Sequence, residues 1–170
     1  MSGGSPSGSV QLRNAASQTL ASVSSGIISA FMDPQTLAAT ETHTIRVDPG
    51  GAATGNMTMS LYDVPADLTG SATVNGSSVP LTITTPGQNG TVTFAGTASQ
   101  LVRVSVTGNT TGGVTVRLRR PDGTQMTAMT STLGSFTLTQ QTLPTTGTYT
   151  IVVDPAKANT GSLNVAVISP

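Results

Sequence analysis

The chain has 170 residues, a formal net charge of zero, only 8% charged and 3% aromatic residues, and no cysteine. Nucleic-acid binding depends largely on lysine and arginine, so this charge balance argues against a nucleic-acid partner. The absence of cysteine excludes a disulfide framework and a thiolate metal site.

Small hydroxyl side chains dominate the composition, because the sequence contains 31 threonines and 19 serines. With 19 glycines and 10 prolines, this composition is typical of short strands joined by many turns. The excess of threonine and serine over lysine and glutamate favours an extracellular or cell-surface location. No apolar run approaches the roughly 20 residues that a transmembrane helix needs, so we expect no insertion into a membrane.

Residues 1–9 (MSGGSPSGS) have neither a basic region nor an apolar stretch, which predicts a flexible leader and not a signal peptide. From residue 10 onward, short runs of alternating apolar and polar residues are separated by turn residues. This pattern predicts an all-β fold, an antiparallel β-sandwich of the jelly-roll or immunoglobulin-like type. The expected strands are 10–13, 19–24, 26–32, 42–48, 56–62, 69–74, 79–84, 90–95, 101–107, 113–119, 125–130, 134–139, 148–153 and 162–168.

The sequence repeats itself at an offset of 106 residues. Residues 35–64 align without a gap on residues 141–170, and 13 of the 30 positions are identical. A weaker match upstream aligns Val10–Arg13 with Val116–Arg119. We therefore divide the chain after the leader into a first copy (10–64), a unique half (65–115) and a second copy (116–170).

The unique half and the second copy together form one full repeat, 65–170, and the first copy is an N-terminal half-repeat. Repeated units need neighbours to bury their apolar faces, and the first copy has no unique half of its own. This organisation predicts assembly and not catalysis. The inward-facing residues expected in the core are Ile45, Val47, Met57, Met59, Leu61, Val92, Phe94, Val104, Val106, Val116, Leu118, Ile151, Val153, Leu163, Val165 and Val167.

One stretch, 15–25 (AASQTLASVSS), has a composition that a helix would accept. Its counterpart 121–131 begins with the turn sequence Pro121–Thr124, in which proline presets φ and glycine accepts a positive φ. We therefore predict a turn followed by a strand in both copies.

Several segments carry a resemblance to a known family. They are Thr148–Pro155 (TYTIVVDP), Asn159–Gly161 and the strand and loop from Met57 to Gly70. Together they resemble a tandem repeat of large secreted and surface proteins of bacteria, and are similar to the pre-peptidase C-terminal type of domain. The resemblance covers residues 35–170 well and 10–34 weakly. It implies a jelly-roll-like β-sandwich with a non-enzymatic, extracellular structural or adhesive role, and it supplies no catalytic residues.

His43 is the only histidine, and its counterpart in the second copy is Tyr149. A catalytic base does not exchange with tyrosine, so we assign His43 a structural role. No catalytic triad, pair of acids or phosphate-binding glycine loop is evident, which predicts a protein that is not an enzyme and holds no cofactor.

Two groups of charged residues are candidate binding sites. Calcium is disfavoured at the acidic residues because none lies in a loop dense in oxygen ligands. The basic cluster Arg117, Arg119 and Arg120 is interpreted as the charged, exposed face of an edge strand, which discourages unwanted strand pairing. The acidic residues considered for calcium are Asp48, Asp63, Asp67 and Asp154.

Four asparagines fit the N-glycosylation pattern and are candidate acceptor sites, although such matches arise by chance in a chain rich in threonine and serine. They are Asn56, Asn75, Asn89 and Asn109.

The function predicted first is that of a structural subunit of an extracellular or cell-surface filament. Its only required partner is itself, joined head to tail by strand or half-domain complementation. The alternative is a spacer, or an adhesive or glycan-binding module, from a longer surface array; surface glycans would then be partners, although the absence of tryptophan weakens sugar stacking. The residues predicted at the subunit interface are Ile45, Val47, Met57, Met59 and Leu61.

Overall fold

The computed structural model describes residues 8–25, 30–54 and 56–169. The chain divides into two compact units, Met1–Leu61 (unit 1) and Tyr62–Pro170 (unit 2). All regular elements of the described residues are β-strands. The predicted all-β sandwich fold is confirmed.

Unit 1 contains one antiparallel sheet of three strands, in the order β2-β1-β3. The pair β1–β2 is a hairpin, whereas β3 returns to pair with β1 after a longer connection. The predicted leader was too long, because Gly8 and Ser9 already belong to the first strand; residues 1–7 lie outside the described residues. The strands are β1 (Gly8–Arg13), β2 (Thr19–Ser25) and β3 (Thr44–Pro49).

Unit 2 contains two sheets. One has the order β4-β6-β12-β8-β9, and the other has the order β10-β7-β13-β5, with β11 also pairing with β7. The pair β4–β6 is parallel and the remaining pairs are antiparallel. The strands are β4 (Leu68–Ser71), β5 (Val79–Ile83), β6 (Gly90–Gly96), β7 (Leu101–Thr107), β8 (Val114–Arg119), β9 (Gln125–Ser131), β10 (Phe136–Thr137), β11 (Gln141–Thr142), β12 (Gly147–Pro155) and β13 (Gly161–Ile168).

The core of unit 2 is formed by the inward side chains of its two sheets, which alternate with exposed or half-buried ones along each strand. Gly96 lets the layers approach closely, since a Cβ there would collide with the side chain of Leu143. Every core residue predicted within unit 2 is buried, which confirms the period of two. These residues are Val92, Phe94, Val104, Val106, Val116, Leu118, Ile151, Val153, Leu163, Val165 and Val167.

The predictions for the end of the first copy are wrong. No strand forms over residues 56–61, and residues 30–32 are not in a strand; residues 26–29 lie outside the described residues. The expected core residues here are exposed, with 58% of Met57, 52% of Met59 and 84% of Leu61 accessible to solvent.

The strand β3 also departs from the predicted core. Ile45 is 36% exposed and Val47 is only partly buried. Among its described residues, unit 1 contains a single sheet. A sheet needs a second layer to bury its apolar face, so these two side chains keep part of their surface in solvent.

Candidate self-association surface

The sheet of unit 1 reproduces part of a unit 2 sheet, pair by pair. In unit 1, Val10 lies opposite Val47 and Leu12 lies opposite Ile45. Moving 106 positions along the chain gives Val116 opposite Val153 and Leu118 opposite Ile151, which are the observed pairs of β8 and β12. All six pairs of β1 with β3 correspond in this way to the six pairs of β8 with β12. The sequence repeat therefore specifies the same strand register twice.

The hairpin beside these strands is also the same in both copies. The register shifts between Leu12 and Arg13, and it shifts at the equivalent place between Leu118 and Arg119. In the turns, Ser17 has a φ of 63° where Gly123 has a φ of 85°. The predicted turn followed by a strand is thus confirmed for 15–25 and for 121–131.

Loop geometry is shared for a few residues beyond β3 and β12. The N–H of Ala53 donates to the carbonyl oxygen of Gly50 (3.3 Å), and the N–H of Asn159 donates to that of Ala156 (3.1 Å). Each pair is again related by 106 positions. The two copies therefore share this turn as well as the register of their strands, although residues 30–31 and 35–36, the counterparts of β10 and β11, are not in strands.

The copies differ after this turn. Residues 161–168 form β13, which lies between β5 and β7 and buries Leu163, Val165 and Val167. The counterparts of these three buried side chains are Met57, Met59 and Leu61. Both partner strands of β13 belong to the unique half, which is present once. Because β5 and β7 are already paired with β13 of the second copy, residues 56–61 remain outside the described strands.

The five residues predicted at the subunit interface are thus brought to two places in unit 1. Ile45 and Val47 lie on the edge strand β3, and the other three follow in the exposed segment 56–61. All five correspond to side chains that are buried against the unique half in the second copy. Their part in assembly remains a prediction.

Tyr149 and His43 occupy corresponding positions of the two copies and differ in size and polarity. Tyr149 is fully buried, and its hydroxyl donates to the carbonyl oxygen of Thr145 (2.6 Å). His43 interacts with Glu41, whose carbonyl oxygen lies 3.1 Å from its Nδ1. The second copy therefore places an aromatic ring in the core of unit 2 at a position where the first copy has a half-buried imidazole.

The basic cluster is not on an edge strand, so its predicted role is wrong. β8 lies between β12 and β9. Arg117 donates to the carboxylate of Asp154 on β12 (2.7 Å), with both side chains partly exposed. Arg119 and Arg120 are exposed at the end of the strand. A pair of this kind contributes at most about 1 kcal/mol.

Three of the four acidic calcium candidates contact other groups, Asp154 through Arg117 as described above. Asp48 lies 3.7 Å from Arg46, and Asp67 accepts the N–H of Asn89 (3.1 Å). Across the described ranges, no three His, Asp or Glu side chains come together in a group able to hold a metal ion. No helix among these residues is long and apolar enough to cross a membrane.

The candidate glycosylation sites differ in their accessibility. Asn75 is exposed in a turn with a φ of 60°, and Asn89 is half-buried. Asn109 is buried, and its Nδ2 donates to the carbonyl oxygen of Leu133 (2.9 Å). A glycan on Asn109 would require this bond to break, so its folded environment argues against the site. Asn56 is exposed in unit 1.

The chain matches no protein-family profile and no curated protein sequence. Among solved structures, it is similar to the pre-peptidase C-terminal domain of a collagenase from Bacillus anthracis, with 11% identity and a TM-score of 0.49 over 61% of this chain and 97% of that one. It is also similar to PliG, a periplasmic inhibitor of g-type lysozyme from Aeromonas hydrophila, with 20% identity and a TM-score of 0.40 over 60% of this chain and 99% of that one. The chain is thus similar in structure to a domain of the type that its sequence resembles.

Proposed function

We propose that this protein is a non-enzymatic structural subunit of an extracellular or cell-surface filament, in which molecules join head to tail. The observation that carries the proposal is the shared register of the two copies. The first copy has the strand pattern of a sandwich half, but the strands that would complete it are already paired with the second copy. Unit 1 therefore has the strand pattern that pairs with a unique half, but one molecule contains a single unique half and the second copy already occupies it.

The exposed apolar side chains of unit 1 support the same proposal. The core residues of β13 correspond to Met57, Met59 and Leu61. An aspartate at any of these three positions would oppose burial, because burying an unpaired charge is costly. Burying apolar surface stabilises an association by roughly 25 cal/mol per Å² before the costs of association are subtracted. Contact with a second molecule would remove this surface from water.

The number of strands limits how the molecules can join. Each molecule supplies one unique half and two copies, so exchanging halves between molecules leaves the number of complete sandwiches unchanged. Exchange alone therefore gives no net driving force for growth. The joint must add pairing that a single molecule lacks, and open strand edges are the groups able to provide it.

Electron microscopy of the purified chain, together with its mass in solution, tests the proposal. We expect fibres with a regular subunit repeat. The matched control is residues 62–170 alone, since unit 2 has two sheets and its own core; we expect it to be a soluble monomer. A full-length chain that remains monomeric at high concentration would refute the filament and favour a spacer from a longer array.

A pair of substitutions tests whether segment 56–61 lies at the interface. Met59→Asp places a charge where the second copy buries Val165, whereas Ser60→Asp places it at the counterpart of the half-buried Ala166. Both residues are exposed in the single molecule, so neither change should unfold it. We expect Met59→Asp to weaken assembly and Ser60→Asp to leave it unchanged. Equal effects of the two would remove this segment from the interface.

A further inference from the structure

We propose that the joint between molecules, in addition to burying segment 56–61, pairs two particular sheet edges, β2 of one molecule and the edge strand β9 of the next. This inference rests on the proposed filament and names its contact. It follows from comparing the edges of the three sheets described, which are β2, β3, β4, β5, β9 and the edge formed by the two-residue strands β10 and β11. Natural edges are usually protected by charge, by proline or by being short.

Four of these edges carry such protection. The strand β3 contains Arg46, Asp48 and Pro49, and β5 contains Pro80 at its second position. Proline has no N–H to donate to a neighbouring strand. The strand β4 spans four residues and β10 spans two, so each offers few backbone groups. None of these four edges suits a long ladder with a second molecule.

The two remaining edges have no such protection along most of their length. The strands β2 (TLASVSS) and β9 (QMTAMTS) each span seven residues and contain neither charge nor proline. Each strand has one register shift, located beside its turn. Residues 21–25 of β2 and residues 127–131 of β9 therefore pair regularly with their own neighbouring strands. An edge of this length without charge is a template for strand pairing.

The position of the two edges makes their contact head to tail. One lies in unit 1 and the other lies in unit 2, so each molecule presents one edge of each kind. Pairing β2 with β9 is a contact between different surfaces, and such contacts propagate when they do not close. The result is a continuous sheet that runs from one molecule into the next.

The zero net charge of the chain is consistent with this contact, because little overall repulsion opposes the approach of two molecules. Ser22 and Ala128 are the central residues of the two strands, and both are exposed. Central residues lie near each other whether the paired strands run antiparallel or parallel. They are therefore the best positions for a cross-link.

The native chain has no cysteine, so introduced thiols report only the designed contact. We would compare Ser22→Cys, Ala128→Cys and the double variant under assembly conditions, using air oxidation and a short bis-maleimide that tolerates a two-residue slip. We expect the double variant to give a ladder of covalent multimers and an equal mixture of the single variants to give a covalent dimer. Each single variant alone should remain uncoupled.

Other outcomes overturn the inference. Dimers from Ser22→Cys alone would mean that β2 pairs with itself, and dimers from Ala128→Cys alone would mean the same for β9. Fibres in the microscope without any cross-link would refute the β2–β9 joint and leave the filament in place. A monomer in the microscope and in solution would refute the filament itself.

A charge test gives a second readout. Ala128→Lys adds a positive charge to the unprotected edge β9, and Thr82→Lys adds the same charge to the proline-containing edge β5. Both residues are exposed, so the folded molecule should tolerate either change. We expect the first variant to raise the concentration needed for fibres at least several-fold and the second to leave it unchanged. Equal behaviour of the two variants would contradict the assigned edge.

Discussion

The ring of Tyr149 lies 5.5 Å from the ring of Phe94, and the two planes are inclined by 22°. The contact joins the second copy to the unique half, because Tyr149 is on β12 and Phe94 is on β6. The position that matches Tyr149 in the first copy holds His43. A smaller, polar ring there would lose the stack and part of the apolar contact, so we expect this difference to favour pairing of the unique half with the second copy.

Tyr149→His should therefore weaken unit 2. The expected loss in the free energy of unfolding is about 2–4 kcal/mol, because the change removes buried aromatic surface and leaves an imidazole in an apolar core. Urea denaturation followed by circular dichroism measures it. The reciprocal change His43→Tyr, in unit 1, is the control and should leave the stability of unit 2 unaltered. Equal stability of Tyr149→His and the parent chain would show that this ring does not decide between the copies.

Gly96→Ala should also destabilise unit 2. A Cβ at this position collides with the side chain of Leu143 and comes within 3.0 Å of the ring of Tyr149. Overpacking of this kind costs about 1–3 kcal/mol. Gly134→Ala is the matched control, since the nearest atom to its added Cβ is 3.9 Å away. Equal melting temperatures of the two variants in a thermal melt would mean that the core relaxes around the extra methyl group.

Much of unit 2 was predictable because its strands bury alternate residues on one face. The pattern Val102, Val104 and Val106 in β7 indicated both the strand and its inward side. The strand predicted over 134–139 covers β10 but is too long, and β11 was not predicted, since two residues in each carry no periodic signal. The sequence pattern alone places segment 56–61 in a strand, yet a strand forms only where partners remain free.

The alternation of apolar and polar residues also cannot predict which copy pairs with the unique half. Both copies carry the same register, so alternation predicts both equally well. The copies differ in the size and polarity of individual side chains, for example at Tyr149 and His43. The meaning of such a difference depends on the three-dimensional neighbour, here Phe94, and that neighbour is distant in sequence.

The turn after β8 should respond to acid. The hydroxyl and backbone N–H of Thr124 both donate to the carboxylate of Asp122, and these bonds lower the pKa of Asp122 below its ordinary value of 3.8. The stabilisation is therefore complete above pH 3.8 and is lost as the pH falls through the lowered pKa of the folded chain. Asp122→Ala should cost stability at neutral pH, and the difference from the parent should shrink in acid.

A carboxyl titration by NMR checks this prediction directly. The matching turn of the first copy is a built-in control, because there the amide oxygen of Asn14 accepts the N–H of Gln18 (2.8 Å) and does not titrate. The N–H signal of Gln18 should stay constant over the range in which those of Asp122 change; Ala15 is left out of the control because its N–H donates to the carboxylate of Glu41 (3.3 Å). An Asp122 that titrates at or above 3.8 would contradict the assigned hydrogen bonds.

Glycosylation should distinguish Asn75 from Asn109 when the chain is secreted from a eukaryotic host. Asn75 lies in an exposed turn, and its side chain uses only Oδ1 to accept the N–H of Ser169 (2.8 Å), so its amide nitrogen is accessible. The amide nitrogen of Asn109 is committed to Leu133 inside the domain, and Thr111, the hydroxyl residue of its acceptor pattern, is buried with it. Glycopeptide mass spectrometry should therefore find sugar on Asn75 and none on Asn109, and Asn75→Gln should remove that signal. Sugar on Asn109 would mean that the transferase acts before the loop folds, since the folded side chain has no free Nδ2 to offer.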